Sequence, residues 1–138
     1  MTDAVRLDVR FATDPAEALL VQAQIIEWLN ERQYPLRDQF GVRLALEEGL
    51  MNAIKHGNQR DLSKTVRVFC EVHDTHTYIE IEDQGAGFVP EEVPDPLAEE
   101  NLCKASGRGL FLMRQYMTRV EFRDSGRLLV MEKQRTPE

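Results

Sequence analysis

Cysteine is scarce in this sequence: there are two in 138 residues, Cys70 and Cys103. They form no CxxC pair and have no histidine at metal-ligand spacing. That pattern excludes a disulfide framework and a zinc site, and it fits two reduced thiols in a reducing compartment. Positive charge is also in short supply. With 17 Lys and Arg against 24 Asp and Glu, the net charge is -7 and the pI is near 5.0. The clustered cations that a nucleic-acid backbone requires are missing, so direct nucleic-acid binding is excluded. No apolar run approaches the roughly 20 residues that span a bilayer, so no membrane partner is expected. The N-terminal MTDAVRLDVRF lacks the charged-then-apolar layout of a signal peptide, and the expected location is the cytoplasm. Two common nucleotide signatures are absent as well. There is no Gly-Lys-Ser or Gly-Lys-Thr of a Walker loop, and no GxGxxG inside a strand-helix-strand unit.

What is present describes a globular chain. Charged residues make up 30% and hydrophobic ones 42%, and the length suits one domain, residues 1–138, rather than two. Val5 to Phe11 alternates apolar and polar and reads as a strand with Val5, Leu7, Val9 and Phe11 on one face. Asp14-Pro15 supplies an N-cap and a first-turn proline for a helix reaching about Arg32. Tyr34-Pro35 interrupts it, and a second helix begins near Leu36 to Gln39 and ends at His56-Gly57-Asn58. There Gly57 is expected to adopt the left-handed conformation of a helix C-cap. Thr65 to Val72 and Thr77 to Glu82 read as a hairpin turning at His73 to His76. A glycine turn, DQGAGF, a long proline-bearing stretch and a second glycine segment, SGRGL, then lead into a helix, FLMRQYM. Arg119 to Asp124 and Arg127 to Lys133 form a last hairpin at Ser125-Gly126, and Gln134 to Glu138 is expected to fray. Strands paired by hairpins, with helices that each need one buried face, imply an α+β fold. Its form is a two-layer sandwich whose mixed, mostly antiparallel sheet carries helices on one face.

The second helix carries the most informative stretch, LALEEGLMNAIKHGN. At about 100° per residue, Glu48, Asn52, Lys55 and His56 occupy one sector, floored by Ala45 and Gly49. Val42, Leu46, Leu50 and Ala53, extended by Ile54, form the opposite, core-facing sector. A polar sector over two tiny residues suits a ligand lying close to the helix. An interior glycine costs roughly 1 kcal/mol against alanine, so Gly49 requires compensation, such as close approach by a ligand or lid. By itself Glu48 reads more readily as a salt-bridge partner of Lys55 or of an N-terminal neighbour.

Asp83-Gln84-Gly85-Ala86-Gly87-Phe88 places a carboxylate at a strand end beside two glycines that permit close approach of a ligand, although an ordinary Asx turn has the same look. Gly107-Arg108-Gly109-Leu110 opens a helix whose N-H groups favour an anion such as phosphate, although a flexible helix entry reads the same way. The stretch between them holds Pro90, Pro94 and Pro96, and loops of that length commonly act as lids.

In combination these elements, a helix with Glu and Asn, a DxGxG turn, a lid and a GxGL segment, resemble the N, G1 and G2 boxes of the GHKL (Bergerat-fold) ATPase superfamily. Within it the chain resembles the small anti-sigma factor serine kinases of the RsbW type, over nearly its whole length. The most specific parts are LALEEGLMNAIKHGN, IEDQGAGF and SGRGLFLMRQYMTRVEF. The resemblance implies a histidine-kinase-like ATPase domain with an ATP lid at about 88–106 and the cofactors ATP and Mg²⁺. Asn52 would coordinate the metal, Asp83 would accept from the adenine amino group, and Gly85, Gly87 and Phe88 would adjoin base and ribose. Gly107, Arg108, Gly109 and Leu110 would adjoin the phosphates, with Lys55 and His56 at the same face. Glu48 would accept or orient the proton of a substrate serine hydroxyl. The implied activity is a serine/threonine protein kinase acting as an anti-sigma factor in transcription regulation. Its implied partners are a STAS-type anti-anti-sigma protein that it phosphorylates and a sigma factor that it sequesters. A cognate phosphatase and a homodimer are left open. The alternative is a non-catalytic switch of the same fold, in which ATP controls a partner surface without phosphotransfer. A nucleotide-free sandwich is the third reading.

Overall fold

A computed structural model describes residues 3–86 and 105–137. Strand β1 (Val5–Ala12) is followed by helices α1 (Pro15–Glu31) and α2 (Leu36–Met51), the latter running on into a π-helical turn, Asn52–Gly57. Then come β2 (Thr65–Val72), β3 (His76–Glu82), α3 (Ala105–Tyr116), β4 (Arg119–Arg123) and β5 (Leu128–Gln134). The strands form one sheet in the order β1-β2-β3-β5-β4. Every pair is antiparallel, so the parallel component of the expected mixed sheet is not found among the described strands. Hairpins join β2 to β3 and β4 to β5, and the passage through α1 and α2 brings β2 back antiparallel to β1, whereas β4 runs in the same sense as β3 with β5 lying antiparallel between them.

Register explains why the helices gather on one face. Val9 lies opposite Val68, Val68 opposite Ile81, Ile81 opposite Leu129 and Leu129 opposite Phe122. Because side chains alternate along a strand, these residues line one face. They join Ile25 and Leu29 of α1, Leu46 and Leu50 of α2, and Met113 of α3 in a single core. The opposite face carries charge: Arg67 on β2 reaches Asp8 on β1 at 3.0 Å and Glu80 on β3 at 3.2 Å. Antiparallel sheets tolerate this division because one surface can remain solvated. Cys70 lies on the core side of β2 and is fully buried. Desolvation drives its thiol pKa far up, which makes it an inert packing group.

The cap of α1 forms as its residues require, with Asp14 accepting from the Ala16 N-H at 3.0 Å. Two expectations about ends are corrected. Gly57 does not cap α2 in a left-handed conformation; Gln59 and Arg60 take positive φ, 52° and 58°. The helix widens into its π turn instead, with the Asn58 N-H donating to the Ala53 carbonyl at 2.8 Å. The expected fraying of the C-terminal segment is also overturned. Asp38, only 1% exposed, accepts from the Thr136 N-H at 2.8 Å and its hydroxyl at 2.7 Å. Arg135 donates to the Gln33 carbonyl at 2.8 Å and stacks over the Tyr34 ring. A buried carboxylate needs such donors, and the chain end supplies them.

Candidate functional site

Three segments meet where α2 runs into its π turn: the last turns of α2, the turn after β3 and the first turns of α3. Glu48 is half-buried on α2. A Cβ added at Gly109 of α3 would stand 2.8 Å from Glu48 Oε2, so the second glycine segment abuts the carboxylate, and only a residue without a side chain fits there unchanged. Gly107, Arg108 and Gly109 lie within helix α3 itself rather than in a turn ahead of it. Leu110 is 5% exposed and belongs to the core.

Asn52 sits one turn beyond Glu48 and is 8% exposed. Its Oδ1 is buried without a hydrogen-bond partner among the described residues. A carbonyl oxygen left this way costs on the order of 1–3 kcal/mol, which is a reason to expect a ligand for it. Oxygen of this kind suits a hard cation such as Mg²⁺. Among the described residues there is no group of three or more His, Cys, Asp or Glu that could hold a metal ion.

The sector drawn from ideal helical spacing is corrected at its floor. Ala45 and Gly49 do not floor the ligand face. A Cβ at Gly49 would meet Ile81 Cδ1 and Leu129 Cδ2, both at 2.9 Å, so this glycine lets α2 settle onto β3 and β5. Lys55 and His56 are exposed, while Asn52 is buried. Desolvation lowers the His56 pKa, and the charges of Lys55 and Arg60 lower it further. Gly87, Phe88 and the lid up to residue 104 lie outside the described residues.

Asp83 follows the last residue of β3 and is 9% exposed. Its Oδ1 accepts from the Gly85 N-H at 2.8 Å. Burial raises its pKa, opposed by the Gly85 hydrogen bond and by the charge of Arg127. The turn and the end of α2 are interlocked. A Cβ at Gly57 would stand 2.3 Å from the Asp83 carboxyl carbon, and one at Gly85 1.8 Å from the Gly57 carbonyl oxygen. Gly57 is therefore required by tertiary approach rather than by helix termination.

Residues that sequence spacing did not single out complete the frame. Asn58 is fully buried; its Oδ1 accepts from the Gln84 N-H at 2.7 Å, and its amide donates to Thr13 Oγ1 and to the Thr65 carbonyl, each at 2.9 Å. Arg127, at the turn into β5, donates from Nε to the Gly85 carbonyl at 2.7 Å and from Nη2 to the Ala86 carbonyl at 3.0 Å. A groove of about 350 Å³ opens between α1 and α2, lined by Leu19, Gln22, Glu47, Glu48 and Met51 among others.

A model described as a histidine kinase-like ATPase domain matches residues 11–133. The chain belongs to the histidine kinase-like ATPase family. Among its relatives is an anti-sigma F factor of Clostridium perfringens strain 13, 31% identical over 97 residues, which cover 67% of this chain and 69% of the relative. The anti-sigma F factor of strain SM101 is 30% identical over the same length. A crystal structure of the RsbU and RsbW domains of Rv1364c from Mycobacterium tuberculosis superposes with a TM-score of 0.65 at 17% identity. The match covers 96% of this chain and 33% of that one, so the chain spans about a third of that protein's length. Among the described residues, no helix of this family member is long and apolar enough to cross a membrane.

Proposed function

We propose that this chain, as one ATPase domain with its lid, is a cytoplasmic Mg-ATP-dependent serine or threonine kinase. In this reading it acts as an anti-sigma factor that phosphorylates a small STAS-type anti-anti-sigma protein and sequesters a sigma factor when nucleotide is bound. The named relatives are anti-sigma F factors, which supports the partner class. The observation that carries the chemistry is the orphaned Asn52 Oδ1 one helical turn from Glu48.

In this reading Asn52 holds Mg²⁺, which when bound neutralises charge on the nucleotide phosphates. Asp83 accepts from the exocyclic amine of adenine. The N-terminal end of α3, which carries Gly107, Arg108 and Gly109, would adjoin the phosphates, with the unbonded N-H groups of its first turn directed to the anion. The groove beside Glu48 gives the hydroxyl-bearing segment of a partner a path to the carboxylate. The serine oxygen attacks the γ-phosphorus, the bond to the β-γ bridging oxygen breaks, ADP leaves, and the hydroxyl proton passes to Glu48.

The test pairs two substitutions. Glu48→Gln keeps ATP binding and loses phosphotransfer to the partner by roughly 10²–10⁴-fold, the usual worth of a positioned base. Asn52→Ala loses the rise in melting temperature that Mg-ATP gives, while its ligand-free melting temperature holds because the orphaned acceptor is gone. Retained phosphotransfer in Glu48→Gln sinks the role assigned to Glu48. ATP-dependent complex formation without any phosphotransfer in the unmodified chain favours the non-catalytic switch.

A further inference from the structure

The described residues after β3, Asp83 to Ala86, are tied down from two sides. On one side Asn58 accepts from the Gln84 N-H, and the Gln84 side chain in turn accepts from the Thr65 N-H at 2.8 Å. On the other side stands Arg127, 42 residues later in the chain. Its backbone carbonyl accepts from the Asp83 N-H at 2.9 Å. Its guanidinium spreads over three carbonyls: Gly85 from Nε at 2.7 Å, Ala86 from Nη2 at 3.0 Å and Asp124 from Nη1 at 3.3 Å. The planar fork of arginine suits such a fixed set of acceptors, and lysine cannot reproduce it.

We propose that Arg127 is a positioning residue for base recognition, holding the Gly85 and Ala86 carbonyls so that Asp83 presents its second carboxylate oxygen to the amino group of an adenine base. The inference rests on the ATP-binding reading above. Gly57 and Gly85 stand beside Asp83 and offer it no side chain. Hydrogen bonds to the backbone hold the turn here, and the Arg127 guanidinium supplies two of them. The charges around Asp83 are Arg127 and Lys64, which favour the carboxylate, and Glu82, which opposes it. Arg127 thus favours both the orientation and the ionised form of the acceptor.

The experiment is calorimetric titration of the full chain with Mg-ATP and with Mg-GTP, for the unmodified protein, Arg127→Ala, Arg127→Lys and a control, Arg123→Ala, from the exposed face of β4. Arg127→Ala is expected to weaken ATP binding by about 10-fold or more, the scale of a lost charged hydrogen bond, and to narrow the preference for ATP over GTP. Arg127→Lys is expected to fall between the two, and Arg123→Ala to match the unmodified chain. Unchanged ATP affinity and preference in Arg127→Ala overturn the inference and leave the ATP reading standing. An equal loss for both nucleotides marks Arg127 as a merely structural residue and also overturns it. If Arg127→Ala does not fold, Arg127→Lys decides on the same two readouts. No binding of ATP by the unmodified chain removes the ATP reading itself.

Discussion

Asp83 shows how a single residue is set between stability and function. Burial raises its folded pKa above the unfolded value. The folded chain therefore holds a proton at this site more tightly than the unfolded chain does. Stability from this site is fully present below the ordinary carboxylate value of about 3.9 and is lost as pH rises through the raised folded pKa. At neutral pH an ionised Asp83 costs stability, so Asp83→Asn should raise the ligand-free melting temperature by roughly 2–5 °C. That gain should disappear below about pH 4, where the aspartate is protonated in both states. The same variant should show no further rise with Mg-ATP. Thermal scans at two pH values, with and without nucleotide, check all three outcomes. The acid and the glycines of this turn were legible in the sequence, because a carboxylate at a strand end beside two glycines is a local pattern. Arg127 was not legible, since its contact with Gly85 bridges 42 positions and leaves no periodic trace.

Among the elements, α2 and α3 owe their approach to glycine. Gly57 and Gly109 look alike in sequence, each a glycine at a helix end, but they meet different neighbours. A Cβ at Gly57 would overlap the Asp83 carboxyl group at 2.3 Å. Gly57→Ala should thus cost about 1–3 kcal/mol of stability, the scale of overpacking, and abolish the nucleotide-dependent rise in melting temperature. At Gly109 the neighbour is the far end of the Glu48 side chain, 2.8 Å away, which can swing aside. Gly109→Ala gains up to about 1 kcal/mol of helix propensity and should leave stability equal or higher. Displacing Glu48 should nevertheless lower phosphotransfer by about 10-fold or more at unchanged ATP affinity, since small misplacements of a catalytic group are costly. Denaturant titration and single-turnover phosphotransfer separate the two variants. Ideal helical spacing put Glu48 and Asn52 one turn apart on α2, because the regular part of the helix runs up to Asn52, where the π turn begins.

At the level of the whole molecule, the chain end closes the fold. Asp38 near the start of α2 is buried against Thr136, and Lys133 Nζ lies 3.8 Å from it. Deleting residues 135–138 leaves that carboxylate without two of its donors. The expected cost is about 2–4 kcal/mol, the scale of lost hydrogen bonds to a charged group, and is read as a lower urea midpoint with little change in the slope of the transition. The nucleotide segments lie at the other end of α2, so Mg-ATP should still raise the melting temperature of the shortened chain.

The sequence by itself determined the elements and their order, because hydrophobic period and capping chemistry act over a few residues. It also determined the family, through three short segments whose joint occurrence is far more specific than any one of them. Only the tertiary structure decided what the glycines are for. Gly49 admits the sheet, Gly57 admits Asp83 and Gly109 admits Glu48, and a residue with no side chain carries no mark of its neighbour. The same holds for the tail and for Arg127, whose partners are carbonyls and a buried acid brought close only when the sheet and helices pack.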